Sequence, residues 1–184
     1  MISMKPDGRI AEGSDVYLVY LTPEMVRQRY VGWLNSPEVN KYLEVRFGVP
    51  HTLESVREFV KSHYDDPLNH LFAIMLHNGD VHIGNIKVGP INKHHKFAEV
   101  GLMIGERSCW GKGYGSEAIK LASDYAFEKL GIHKLISGCY ANNAGSMAAF
   151  GKAGYEKEGV LKKKFMCGGE YVDHILFGKM SKRM

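Results

Sequence analysis

Glu99, the glycine-rich run Trp110-Gly111-Lys112-Gly113-Tyr114-Gly115, and the pair Asn143 and Ser146 are the residues whose types and spacing suit chemistry. Glycine lacks Cβ, so alternate glycines let a chain turn with positive φ and bring successive N–H groups close to a ligand. Where such a run opens a helix, the unpaired first-turn amides and the positive end of the helix dipole make an anion site. Lys112 would add a cation, and Ser116 follows in the first helical turn. A Walker loop requires four residues between its first glycine and Gly-Lys-Ser/Thr, and a dinucleotide fingerprint requires G-x-G-x-x-G at the start of a βαβ unit. The run here reads G-x-G-x-G and fits both poorly. The bland alternative is a glycine turn that only caps a helix, and the flanking segments decide between the two.

Upstream, Ala98 to Ile104 alternates as a strand, with Val100, Leu102 and Ile104 on one face and Glu99, Gly101 and Met103 on the other. Downstream, Ile119, Ala122, Ala126 and Leu130 recur at helical spacing, with Phe127 on the adjacent stripe. Lys134 to Tyr140 predicts a further strand, and Asn142 to Tyr155 a capped helix that ends at Gly154. Nearer the start, Val16 to Leu21 predicts a strand, and Thr22-Pro23-Glu24 opens a helix running to about Leu34, broken at Asn35-Ser36-Pro37. A second helix begins near Thr52, where Ser55 replaces the Glu or Gln of a capping box, so no box is expected. Leu71 to Leu76 and Val81 to Val88 predict a hairpin about Asn78-Gly79. Tyr155 to Leu161 and Tyr171 to Met180 close the sheet, separated by Cys167-Gly168-Gly169.

The order strand, glycine loop, helix, strand, Asn-x-x-Ser helix and Lys-x-Gly-Tyr resembles the GNAT superfamily of acetyl-CoA-dependent N-acetyltransferases, most closely its RimJ/RimL-like branch. The residues that carry the resemblance are Ala98-Glu99-Val100-Gly101, the glycine loop with Glu117-Ala118, then Asn143, Ser146, Lys152, Gly154, Tyr155, Glu158 and Gly159. It extends from about Asp15 to Met180. The resemblance implies a mixed α/β fold: a central, mostly antiparallel sheet with one splayed parallel strand pair, and helices on both faces. It also implies that the amides of the loop from Trp110 to Ser116 hold the pyrophosphate of CoA. The backbone of Met103 and Ile104 would line the pantetheine arm, and Asn143 and Ser146 would reach the arm or the thiol. Two positions depart from the family pattern. Trp110 stands where Arg or Gln is usual, and Phe150 stands where many members carry a tyrosine acid.

Acetyl transfer to an amine needs a base or water chain for the amine proton, donors for the carbonyl oxygen, and a proton for the leaving thiolate. Glu99 is the base candidate, because its strand phase opposes Val100, Leu102 and Ile104 and turns its carboxylate toward an acceptor cleft. The alternative is a solvated or structurally paired carboxylate. Ser146 is the candidate donor to the thiolate, against an alternative role in the first helical turn. The alternative for Asn143 is to shape only the turn that precedes the helix. Tyr140 and Tyr155 offer hydroxyls but read more readily as core. The resemblance places acceptor choice between the first two helices, where Tyr42, Glu44, Arg46 and His51 mix charge and aromatic surface. His82, Asn85 and Lys87 are assigned to one strand face by period two, beside Glu99. Arg46, Lys87, Tyr42 and Phe47 favour a nucleotide-linked amino sugar as the amine acceptor. The alternatives are the N-terminal amine of a protein, or a non-catalytic acyl-CoA-binding module on the same fold.

The 184 residues, 45% hydrophobic and 24% charged, suit one globular domain over 14–184 after a polar, loose segment over 1–13. A net charge of +4 is too mild to argue for nucleic acid, though it suits an anionic co-substrate. The three cysteines, Cys109, Cys139 and Cys167, form no CxxC pair, so a reducing cytoplasm is expected. No apolar run suggests a membrane span or signal peptide. His94-His95 lacks metal-ligand companions at suitable spacing, so no metal is expected. Dimers are common in the superfamily, but no residue here selects an interface.

Overall fold

The structure, a computed structural model, describes residues 8–182. Its strands are β1 (Arg9–Glu12), β2 (Val16–Tyr20), β3 (His70–Leu76), β4 (Val81–Val88), β5 (Phe97–Ile104), β6 (Lys134–Tyr140), β7 (Glu156–Cys167) and β8 (Glu170–Met180). They form one sheet in the order β1-β2-β3-β4-β5-β6-β8-β7. The helices are α1 (Gln28–Asn35), α2 (Pro37–Asn40), α3 (Leu53–Asp65), α4 (Tyr114–Lys129) and α5 (Ala144–Lys152).

Neighbouring strands are antiparallel except β5 and β6, which run parallel. That parallel pairing lasts only from Phe97↔Lys134 to Glu99↔Ile136. Beyond it β5 stays with β4 as far as Ile104, and β6 stays with β8 as far as Tyr140, so the sheet forks. At the vertex the Ser137 hydroxyl donates to the Val100 carbonyl at 2.8 Å, supplying the partner that the diverging backbone withdraws.

Strand alternation decides which groups face the opening. The Gly89 N–H donates to the Glu99 carbonyl, and Met103 pairs with Asn85, so the odd-numbered residues of β5 spend their backbone groups on the β4 side. Val100, Leu102 and Ile104 therefore turn theirs toward β6. The Ile104 carbonyl is closed by the Trp110 indole N–H at 2.8 Å. Leu102, between the two capped carbonyls, presents its amide and carbonyl to the open fork.

One sheet face packs on α4 and α5. Leu18, Phe72, Ile86, Val100 and Leu135 are fully or almost fully buried there with Ala118, Ile119, Ala122 and Ala126 of α4. The opposite face of β2 to β4 meets α1 and α3 through Leu71, Ala73, Tyr30, Trp33, Val56 and Val60. Gly115 lets α4 approach β5 closely, because a Cβ there would lie 3.2 Å from Leu102 Cδ2. In the first turn of α4, Glu117 accepts the backbone N–H groups of Ser14 and Asp15 and ties down the β1–β2 turn.

Four expectations change. Arg9–Glu12, part of the segment expected to be loose, pairs with β2, while residues 1–7 lie outside the described residues. The helix expected from Pro23 to about Leu34 is a 3-10 turn, Pro23–Met25, followed by α1, because Val26 and Arg27 are extended. Thr52 and Ser55 do form a reciprocal capping box: the Ser55 hydroxyl accepts from the Thr52 N–H at 3.0 Å and the Thr52 hydroxyl from the Ser55 N–H at 3.2 Å. Finally, β7 does not stop at Leu161. Its basic run continues along the sheet edge with a register shift, as Asp173 of β8 accepts from the Lys163 N–H and from Lys162 Nζ, each at 2.9 Å.

Ser137→Ala removes the vertex bond and leaves a buried carbonyl without its donor. The expected loss is about 1–3 kcal/mol of folding stability, read as a lower chemical denaturation midpoint at unchanged m-value.

Candidate active site

The loop after β5 turns twice through the left-handed region, at Gly111 (φ 75°) and Gly113 (φ 92°). A Cβ on either glycine would meet nothing within 4 Å, so their requirement is backbone conformation rather than space. Gly113 is the N-cap of α4 and makes no side-chain cap, while the Ser116 hydroxyl is turned back onto the Gly113 carbonyl at 2.7 Å. The first-turn amides of Tyr114, Gly115 and Ser116 are thus left without a side-chain cap, at the positive end of a 16-residue helix. Trp110, Gly111, Lys112 and Gly113 are exposed. This arrangement suits an anion with several oxygens. Trp110 has the further role of holding the loop to the end of β5 through its indole bond.

Of the two residues expected to line an arm laid in the fork, Ile104 turns its backbone to the opening and Met103 does not. Met103 is committed to Asn85, and its carbonyl is 2.2 Å from where a Cβ on Gly84 would lie. Leu102, next to it in the strand, faces the opening instead. The expectation failed on strand phase, because consecutive residues cannot both present backbone groups to the same edge.

On the α5 side, the Asn143 Oδ1 accepts the Ser146 N–H at 3.1 Å and caps the helix. Ser146 is half-buried and lies close to Cys139 of β6, whose thiol pKa is raised by burial. That places a hydroxyl donor along the fork-forming part of β6. Phe150 is buried against Tyr155 and Phe177 at ring separations of 5.1 and 5.9 Å, so its position belongs to the core.

On the opposite sheet face, Glu99 is exposed at the last paired rung of the fork. Beside it a Cβ on Gly101 would meet nothing within 4 Å, leaving open floor, with Lys87 directly across on β4. His82 and Asn85 do share this face, but through a bulge. Ile74 pairs with Gly84 and Met75 with His82, so Ile83 is an extra residue that resets the alternation. His82 Nε2 lies 3.0 Å from the Gly84 carbonyl and 2.9 Å from Asn85 Oδ1. Two acceptors require that Nε2 carry the proton, and burial lowers the pKa of His82, so the ring is neutral at neutral pH. The same bond fixes Asn85 with its Nδ2 buried and unpartnered. His82 also packs edge-on against Trp33 at 5.1 Å, and a Cβ on Gly105 would lie 2.0 Å from that indole, so α1 is seated on the end of β5.

The residues expected to choose the acceptor from the segment before α3 are mostly tied to the protein itself. Arg46 donates to the Leu43 carbonyl at 2.9 Å, to the Met166 carbonyl at 2.8 Å and to the Tyr140 hydroxyl at 2.9 Å. The Tyr140 hydroxyl in turn donates to Glu44 at 3.0 Å, and the Tyr42 hydroxyl donates to the Asn142 carbonyl at 2.9 Å. His51 is held through its backbone by the Asn35 side chain at the end of α1. This network docks the segment onto β6 and the β7–β8 hairpin and walls one end of the open face.

Among the described residues, no group of three or more His, Cys, Asp or Glu could hold a metal ion, and no helix is long and apolar enough to cross a membrane. His94 and His95 lie in a turn whose amides donate to Asn92 Oδ1.

Residues 15–156 match the acetyltransferase (GNAT) domain family. The N-acetyltransferase p20 of Bacillus licheniformis is 27% identical over 152 residues, covering 80% of this chain and 83% of the relative. The spermidine N(1)-acetyltransferase of Vibrio cholerae is 26% identical over 122 residues, 66% of this chain and 69% of that protein. The structure of RimL, a ribosomal L7/L12 alpha-N-protein acetyltransferase in complex with coenzyme A, has a TM-score of 0.80 at 17% identity, covering 94% and 98% of the two chains. With the family match spanning most of its length, and with a forked sheet and glycine-opened helix of the expected kind, the chain belongs to the GNAT acetyltransferase family.

Proposed function

We propose that the chain transfers the acetyl group of acetyl-CoA directly to the primary amine of a small molecule. The observation that carries this reading is the pairing of two unmet backbone demands: the gap-facing groups of Leu102 and the uncapped first turn of α4. The amides from Gly111 to Ser116, with Lys112, hold the pyrophosphate. Leu102 and the amide of Ile104 receive the pantetheine arm as a surrogate strand, which supplies the hydrogen bonds that β6 withholds. Membership of the RimJ/RimL-like branch belongs to the same proposal and is supported by the Trp110 loop.

The amine approaches over the open floor at Gly101. Glu99 accepts its proton, directly or through one water, and the neutral amine then attacks the acetyl carbon. Ser146 offers its hydroxyl to the leaving sulfur from the α5 side, a role supported by its half-buried place in the first turn of α5. Burial of Phe150 in the core leaves no proton donor at the position where a tyrosine would stand, which gives Ser146 the greater share of that task.

The grounds for a nucleotide-linked acceptor weaken once Arg46 and Tyr42 are seen to be bonded internally. A small amine is favoured instead, and the spermidine acetyltransferase among the relatives makes a polyamine the second reading.

Glu99→Gln should lower kcat at least about tenfold while the Kd for acetyl-CoA stays within about twofold, measured by thiol release and calorimetry. Equal loss of cofactor affinity would remove Glu99 from the role of base. Gly113→Val forces a β-branched residue into the left-handed region at a cost of about 1–2 kcal/mol, and acetyl-CoA affinity should fall at least about tenfold. Unchanged affinity in that variant would place the cradle elsewhere.

A further inference from the structure

The first turn of α4 carries its own rival for an anion. Helical side chains lean toward the N-terminus, so the carboxylate of Glu117, four residues past the N-cap Gly113, belongs over that turn. The Glu117 N–H already donates to the Gly113 carbonyl at 3.1 Å. The amides of Tyr114, Gly115 and Ser116 beside it have no side-chain cap, and a carboxylate is a group that such a helix end attracts. Left free, Glu117 would compete for the place where the pyrophosphate is proposed to bind.

The β1–β2 turn takes that carboxylate away. Ser14 and Asp15 both donate their backbone N–H groups to Glu117 Oε1, the second at 3.1 Å. A Cβ on Gly13 would overlap the same oxygen, so the turn closes on the carboxylate only because residue 13 is glycine. The requirement is space alone, since Gly13 does not occupy the left-handed region. The receiving turn is built without Glu117. The Gly13 N–H donates to the Val16 carbonyl at 2.9 Å, the His77 N–H donates to the Asp15 carbonyl at 3.0 Å, and His77 Nε2 lies 3.0 Å from the Gly13 carbonyl. These bonds fasten the turn to the end of β3 and hold its amides ready. Successive amides aimed at one oxygen make an anion-binding nest.

We propose that the Gly13-Ser14-Asp15 turn is a carboxylate holder that keeps the charge of Glu117 off the pyrophosphate site. Gly13 is its positioning residue, since it acts on the co-substrate only through Glu117. This inference rests on the acetyl-CoA cradle proposed above and assigns part of that cradle's affinity to a hairpin remote from it in sequence. A doubly charged pyrophosphate about 7 Å from a free carboxylate loses roughly five- to tenfold in affinity at the dielectric of water.

The test measures acetyl-CoA affinity by calorimetry on the full chain at low and high ionic strength. Gly13→Ala, which evicts the carboxylate, and Glu117→Asp, whose shorter side chain cannot reach the turn, should each weaken binding at least about fivefold. Glu117→Asp leaves the hairpin sequence intact, so it decides the matter if Gly13→Ala does not fold. Glu117→Ala, which loses the same bonds together with the charge, should bind within about twofold of wild type, and so should Gly13→Ala combined with Glu117→Ala. The Gly13→Ala defect, taken as a ratio to wild type, should shrink toward unity at about 1 M salt, where charges are screened beyond about 3 Å. Wild-type affinity in Gly13→Ala or in Glu117→Asp overturns the inference. A loss in Glu117→Ala equal to that in Glu117→Asp, or a defect that salt does not relieve, overturns it too, because the contact would then be mechanical support. Gly113→Val separates this inference from the reading beneath it. Unchanged affinity in that variant overturns the cradle and this inference with it, whereas a weakened Gly113→Val beside an unaffected Gly13→Ala overturns this inference alone.

Discussion

A sheet that separates two parallel strands leaves backbone groups that neither water nor a neighbouring strand satisfies well, and every local feature of the site answers that problem. Ser137 closes the vertex, Trp110 closes the far end, and Leu102 is left between them. The glycine loop is placed by the same geometry, since it leaves β5 where Trp110 fastens it. In the function proposed above, a co-substrate with an amide-bearing arm and an anionic end completes both the sheet and the helix terminus.

The strand β5 is gripped from both faces at almost the same height. On one, Gly115 of α4 packs on Leu102; on the other, the Trp33 indole of α1 covers Gly105. Arg29 of α1 reinforces the second contact through Glu106 at 2.7 Å, and Glu106 has its carboxyl pKa lowered chiefly by that guanidinium. This ion pair is partly exposed, so its own contribution to stability is small, about 0–1 kcal/mol. Its value is geometric. It fixes the helix that carries Trp33 and Tyr30 against the neutral ring of His82, and through His82 it fixes the Asn85 amide.

The glycine loop, the strand before it and the helix after it were legible because each carries a local signal: alternation, positive-φ glycines and a stripe of Ala and Ile. Residues whose role depends on distant partners were not. Arg46 looks like a ligand-binding cation in sequence, yet its three acceptors lie on Leu43, Tyr140 and Met166, and two of these are remote in the chain. The assignment of Met103 failed for a reason already present in the alternation of β5, where a residue facing β4 cannot also face β6. Thr52 and Ser55 show the opposite error: a serine can replace the longer acid of a capping box when its hydroxyl reaches the N-cap amide.

His82 and Asn85 lie three positions apart, a separation that a regular strand would send to opposite sides of the sheet. They meet because Ile83 is an extra residue in β4. The bulge thus works as a phase shifter. On its loop side the β3–β4 hairpin keeps one parity, and on its site side it keeps the other. Chain length between Val81 and Gly84 consequently sets the geometry of this face: removing one residue there would turn His82 away from Asn85. For chains of this architecture, aligning residue types alone compares the wrong faces unless the bulge is aligned first.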